Sequence, residues 1–316
     1  MEDDLPTNPD EALAYLSDDD RGDGLPVVPA TQERVDDMAA EATRSANETI
    51  TAVPTGGDDL TVERLANCAV MAGCAPEYMP VLEAAFEGFG RMENLAAALA
   101  TTSGFAPAVL VNGPIRDDLG FNDDTGLFGP CFRANATIGR AITLAFVVVG
   151  GTRPRQGTMA TQTHPGRYTF CFAENEEAAA WEPVHVARAG FDAEESAVTA
   201  LCLQAPKLFS EGDLTDPSDV LTAAVDGVSA ASTTGMPAGE SVVVLGQDHA
   251  GRLGEAYSRN EVAEHLVDNA ERWDGDPLFE STDDILIAAG GGIGNYSSAI
   301  PMWPRGTPPQ TVRIGG

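Results

Sequence analysis

Between residues 106 and 149 the chain passes from a short apolar run, APAVLV, into a loop dense in Gly, Asn and Asp, and then into an apolar-faced stretch long enough for about four turns of helix. A buried strand followed by a buried helix needs apolar neighbours on both sides of a sheet, which confines the fold to a layered one. The same alternation recurs downstream. Strand-like runs at 168–173, 197–205, 241–246 and 285–289 are separated by helical patterns at 219–231 and 260–273, and 311–314 adds an edge strand. The expected class is α/β, with mixed α+β open: a mostly buried central sheet flanked by helices.

Ahead of residue 106 the pattern is mainly helical. Helices are expected at 32–43, from Thr61 and from Pro76, and over 92–101, with one short strand at 48–53. Residues 1–22 read as an acidic peripheral segment and 23–316 as one α/β domain, within which 23–105 can form a helical subdomain. No internal repeat and no low-complexity tract is visible.

Charge sets the class of partner. The chain of 316 residues carries 49 Asp and Glu against 18 Lys and Arg, a formal net charge of -31, and Lys207 is its only lysine. The carboxylates are interleaved with apolar periodicity rather than gathered in a tail, as on the surface of a halophilic protein, where salt near 1 M screens repulsion beyond about 3 Å. Such a surface lacks the basic footprint that phosphate backbones require, so nucleic acid is not an expected partner. No apolar run reaches the roughly 18 residues of a membrane span, and the N-terminus has no signal-peptide pattern. The five cysteines are an odd set without regular spacing. The expected location is cytoplasmic, with reduced thiols.

Three places concentrate chemistry. The first is the helix entrance FGPCFRANATIGRA. Orphan N–H groups and the helix dipole favour an anion there, Arg133 and Asn135 add donors, and Cys131 would have its thiolate stabilised. An ordinary capped helix with Cys131 as filler fits the same spacing. Asn112, at the end of the preceding strand, belongs with this site.

The second is residues 164–185, where His164, Cys171, Glu174 and the following carboxylates can assemble an acid–base site or form an exposed acidic turn. The third is the ends of the later strands. His249 follows the run SVVVLG, and the loop AAGGGIGN, with Gly292 and Gly294, can offer backbone N–H groups to an anion. No metal-ligand spacing, P-loop or GxSxG elbow occurs, and no cofactor is evident.

The motifs DGLPVVP, CAVMAGCAPEY, FGPCFRANATIGRA, HPGRYTFCFAENEE, WEPVHV and VVVLGQDHA resemble a family of bacterial and archaeal proteins from about residue 23 onward. Its members look like companions of proteins with a Cys- or selenocysteine-Gly-Ser-Cys motif, reminiscent of selenol-dependent reductase subunits. The resemblance implies a partner of that kind and functional roles for Cys74, Arg133, Asn135, His164, Glu174 and Asn175. The family pattern has glycine where this chain has Cys131, which makes Cys74 the thiol that the resemblance favours.

The expected function is an enzyme or enzyme subunit acting on a small anionic or polar molecule. Glu174 and His164 would serve as acid and base, and Cys74 or Cys131 as nucleophile or redox group. Arg133, Asn135, Asn112, Asn175, His249, Gly292 and Gly294 would hold the substrate. A non-catalytic partner subunit and a carboxylate-dependent hydrolase or lyase are the alternatives.

Overall fold

The expected apolar runs form two four-stranded sheets, each with one face toward helices and the other toward its companion sheet. The computed structural model describes residues 22–53, 58–210, 216–232, 239–303 and 307–315, with four single positions near the N-terminus. The acidic segment 1–22 lies almost wholly outside the described residues.

In chain order the strands are β1 (Thr49–Ala52), β2 (Asp59–Thr61), β3 (Ala106–Asn112), β4 (Cys171–Ala173), β5 (Ala197–Leu203), β6 (Lys207–Phe209), β7 (Ser241–Leu245), β8 (Ile285–Ala289), β9 (Ser297–Pro301) and β10 (Gln310–Arg313). The first sheet has the order β10-β5-β3-β4 and the second β6-β9-β7-β8, while β1 and β2 form a small antiparallel pair.

Alternation along each strand divides the core. Ala106, Ala108 and Leu110 of β3, with Phe172 of β4, face Val242, Val244, Leu286 and Ile300 of the second sheet. Their neighbours Val109 and Val111 face helices Val62–Ala72, Met79–Arg91 and Arg133–Val148. Val243, Leu245 and Ile287 face helices Pro217–Ala231, Gln247–Ala256 and Arg259–Asn269. The result is four layers, helix–sheet–sheet–helix, and strands buried on both faces read as continuous apolar runs. Leu110 is fully buried between the sheets, and its truncation to Ala would cost about 2–5 kcal/mol.

The two sheets share one connectivity. β3 runs parallel to β4 and antiparallel to β5, as β7 does to β8 and β9. The fourth strands are exchanged: β6, which follows β5, pairs with β9, and β10, which follows β9, pairs with β5. A helix precedes each half and lies across its sheet, each with a glycine at close approach. A Cβ on Gly88 would meet Ala200 at 2.9 Å, and one on Gly227 would meet Phe209 at 2.5 Å. Leu203 and Met302, equivalent in the two halves, bridge each other near the pseudo-twofold axis. The chain therefore contains a structural repeat where the sequence showed none, because the repeat preserves which positions are apolar and not which residues fill them.

Boundaries shift at several points. The helix expected over 260–273 ends at Asn269, and the strand expected from Tyr168 begins at Cys171 after a 3-10 turn at Pro165–Arg167. The helices Val184–Ala189 and Gln247–Ala256 and the strands β6 and β9 were not expected. In the N-terminal part, the helices of residues 62–91 bury their apolar faces in the same core as β3, β4 and β5.

Candidate functional site

The carboxyl ends of β3, β4, β7 and β8 gather at one end of the sandwich, tied together where the Asn175 N–H donates to the carbonyl of Ala289. Asn112 ends β3 and Glu174 follows β4, so register alone sets them side by side. The Glu174 carboxylate is buried. Its Oε2 accepts from Asn112 Nδ2 at 2.5 Å and from the Val184 N–H at 2.7 Å, and its Oε1 accepts from Arg259 Nη2 at 3.3 Å. Burial pushes this carboxyl's pKa up, against the opposing pull of Arg259, the Val184 N–H and Asn112.

Behind it, Arg116 is a saturated hub. Nη1 donates to Asp123 at 2.6 Å and to the Glu174 carbonyl at 2.7 Å, Nε donates to the Gly113 carbonyl, and Nη2 faces Glu176 at 3.3 Å and Glu177 at 3.2 Å. Burial alone would lower its pKa, but Glu176, Glu177 and Asp123 outweigh that and raise it. Arg116 thus absorbs the local excess of carboxylates and has no fork left for a ligand.

Arg259, the cation that contacts Glu174, also lines a cleft of about 560 Å³. Arg188, Arg259, Trp181, Glu182 and Asp283 line it over a floor of Ile285 and Ile287. Trp181 is fixed by its Nε1 donating to the Tyr257 carbonyl at 2.8 Å, and the Arg259 guanidinium lies 5.5 Å from the indole ring centre. Burial lowers the pKa of both arginines. For Arg259, Glu174 and Glu182 oppose this and Arg188 adds to it; for Arg188, Asp283 and Glu240 oppose it. Arg259 Nε is buried and without a partner among the described residues. Two cations share this partly apolar cleft with Glu182 and Asp283, and the unused donor of one of them is chemically suited to an anion.

The expected residues divide. Glu174, Asn112 and Asn175 come together at this end. The glycine loop joins them: the Gly291 N–H donates to the carbonyl of Asp123, and Gly292 lies against Asp124 and Thr125. Gly294, with φ of +146°, continues the same loop. His249 is fully buried, with Nδ1 2.7 Å from Ser297 Oγ and its ring stacked on Phe209, so it braces the end of β7.

The helix entrance departs from expectation. Arg133 donates from Nε to the Gly73 carbonyl at 3.1 Å and from Nη2 to the Cys74 carbonyl at 3.3 Å. It thereby caps the carboxyl end of helix Val62–Ala72, where a cation suits the dipole. Both ends of the Asn135 amide are used on Asn122, accepting from its N–H and donating to its carbonyl at 2.9 Å each. In the structure these residues hold loops together, Arg133 through the carbonyls of Gly73 and Cys74 and Asn135 through Asn122.

His164 stands apart from Glu174, and neither candidate thiol is hydrogen-bonded to that carboxylate among the described residues. Cys74 is buried, and burial pushes its pKa up to about 12 despite the Thr137 hydroxyl, Arg133 and Arg140. Cys131 is exposed, with φ of +93°. His164 has Nε2 3.2 Å from the Leu203 carbonyl, and its Nδ1 accepts from the Gly166 N–H at 3.2 Å. Leu203 pairs with Ala106, at the opposite end of β3 from Asn112. The seven-residue strand separates them by about 20 Å. The expected Glu174–His164 acid–base pair therefore does not assemble.

Arg116, Arg188, Arg259 and Trp181 were absent from the sequence expectations. One signal was legible: Arg259 opens a helix directly after its Ser258 cap, where the dipole disfavours a cation.

Among the described residues, no three His, Cys, Asp or Glu side chains are grouped to hold a metal ion, and no helix is long and apolar enough to cross a membrane. Comparison of the chain with protein-family models, curated proteins and solved structures gives no match.

Proposed function

We propose that the chain is an enzyme, or an enzyme subunit, that binds a small organic anion between Arg188 and Arg259 and uses Glu174 as its acid–base group. The observation that carries this reading is the unused, buried Nε of Arg259 in a cleft where a second arginine is also desolvated. An anion engaging Arg259 weakens its hold on Glu174. That raises the carboxyl's proton affinity further and lets it take a proton from the bound molecule.

This favours the carboxylate-dependent reading over a thiol-dependent one. Cys74 is buried, and burial raises its pKa to about 12. The free cysteines fit a reducing, cytoplasmic compartment, and the spread acidity fits a salt-rich one.

Titrating phosphate, malonate and succinate at fixed KCl while following tryptophan fluorescence tests the binding. A saturable change with at least one anion is expected, lost in Arg188→Met and silent in Trp181→Phe. Affinity unchanged from the native chain in both Arg188→Met and Arg259→Met would remove the cleft from consideration.

A second reading rests on the loop at the same end of the strands. Ile293 is 85% exposed and Tyr296 61% exposed, large apolar side chains in a place suited to docking a partner. The resemblance noted in the sequence implies a partner with a Cys- or selenocysteine-Gly-Ser-Cys motif. Co-purification with such a protein, abolished by Ile293→Asp, supports this role, and unaltered complex formation by that variant excludes the loop.

A further inference from the structure

A separate cavity of about 360 Å³ lies at the amino end of β3, at the far end of that strand from Glu174. Pro107, Phe146 and Val147 supply apolar wall, and Thr143, Arg153 and Arg167 supply its polar groups. Asp23, the acidic residue at its rim, is already spent: Arg140 donates to both its carboxylate oxygens, at 2.8 and 2.9 Å.

Arg167 is the unusual member. Its Nη2 donates to the Leu99 carbonyl at 3.1 Å, and its Nε is buried without a partner among the described residues. No carboxylate among those residues lies within ion-pair distance of it. Burial lowers its pKa, opposed only by Cys202, a thiol whose own pKa is pushed up to about 12 and which is therefore neutral. In a chain with 49 acidic residues against 18 basic ones, leaving a desolvated arginine uncompensated runs against the prevailing charge.

Thr143 is an independent sign. It is 5% exposed, lines the same cavity, and its Oγ1 has no partner among the described residues, although a helical threonine can bond the preceding turn. Two orphaned donors thus face one apolar chamber.

We infer that this cavity binds an aliphatic monocarboxylate. The carboxylate bridges Arg167 Nε and the Thr143 hydroxyl, and the hydrocarbon chain lies along Pro107, Phe146 and Val147. A single charge matches Arg167, the guanidinium with an unpartnered buried Nε, and the apolar wall penalises a second. Arg153, whose Nη1 donates to the Gly22 carbonyl at 3.4 Å, adds positive potential, and no carboxylate among the described residues pairs with it.

Calorimetric titration of the full chain at fixed KCl with octanoate, octanol, acetate and phosphate tests the assignment. Octanoate is expected to bind with one-to-one stoichiometry, and the other three about tenfold more weakly or worse. Arg167→Met should abolish octanoate binding, and Thr143→Val, which removes the hydroxyl at nearly constant volume, should weaken it several-fold. Thr143→Val decides the matter if Arg167→Met fails to fold. Octanol binding as tightly as octanoate, phosphate binding more tightly, no octanoate binding at millimolar concentration, or unchanged binding in both variants would each overturn the assignment.

Discussion

Replacing Arg259 with Met tests the electrostatics of the Glu174 site, because among the described residues Arg259 is the cation that contacts this buried carboxylate. At 3.3 Å and an effective dielectric constant of about 20, the lost attraction is about 5 kcal/mol. The carboxylate can escape part of that loss by taking up a proton. The penalty is then capped at about 1.4 kcal/mol for each pH unit above its ordinary value of 4.5. The cap is about 4 kcal/mol near pH 7.5 and about 1.4 kcal/mol near pH 5.5.

Burial already raises this pKa in the native chain, so part of the cap is used before the mutation. The expected loss therefore lies below each cap and is larger near pH 7.5 than near pH 5.5. The sign follows from the raised folded value. The folded chain holds the proton more tightly, so stability is greatest below the unfolded pKa and is lost as pH rises through the folded one.

Urea unfolding at fixed KCl across this pH range reads the effect directly. The double variant Glu174→Gln with Arg259→Met should recover about 2 kcal/mol near pH 7.5, since its buried carbonyl can keep the bonds from Asn112 and Val184 without a charge. A loss in Arg259→Met that is the same at both pH values, or that Glu174→Gln does not relieve, would refute the reasoning.

Three further outcomes are expected. Iodoacetamide should label Cys131 rapidly in the native chain and leave Cys68, Cys74, Cys171 and Cys202 until unfolding, because those four are buried and burial raises their pKa; peptide mass mapping over time reads the order. Cys131→Gly should stabilise the chain by about 0.5–1 kcal/mol, since φ of +93° suits glycine; a lower urea midpoint would contradict the strain argument. Glu240, pushed up to about 7 by burial and by Asp284 against the pull of Arg188, should make stability fall as pH rises from its ordinary 4.5 through about 7, and Glu240→Gln should flatten that part of the profile.

Periodicity and local chemistry carried the sequence a long way. The apolar runs placed β3, β5, β7 and β8 close to their observed positions, and the apolar-faced stretch running to residue 149 marked helix Arg133–Val148, whose apolar face is buried. Glu174 and Asn112 were legible as candidates because polar residues directly after buried strands stand out.

Other features lay beyond local pattern. Short runs such as Lys207–Phe209 and Ser297–Pro301 look like loops until a neighbouring strand pairs with them. The exchange of β6 and β10 left no mark, because any apolar residue fills an inter-sheet position. The sequence by itself determined the layered class, the acidic surface and which segments must be buried, since each follows from the residue's own chemistry and its near neighbours. Tertiary structure alone decided that Arg133 donates to the carbonyls of Gly73 and Cys74 and that Asn135 is used on the backbone of Asn122. It alone brought Arg259 to Glu174 across 85 residues of chain. A side chain's free donors are set by what folding places beside it, and that is a property of contacts distant in sequence.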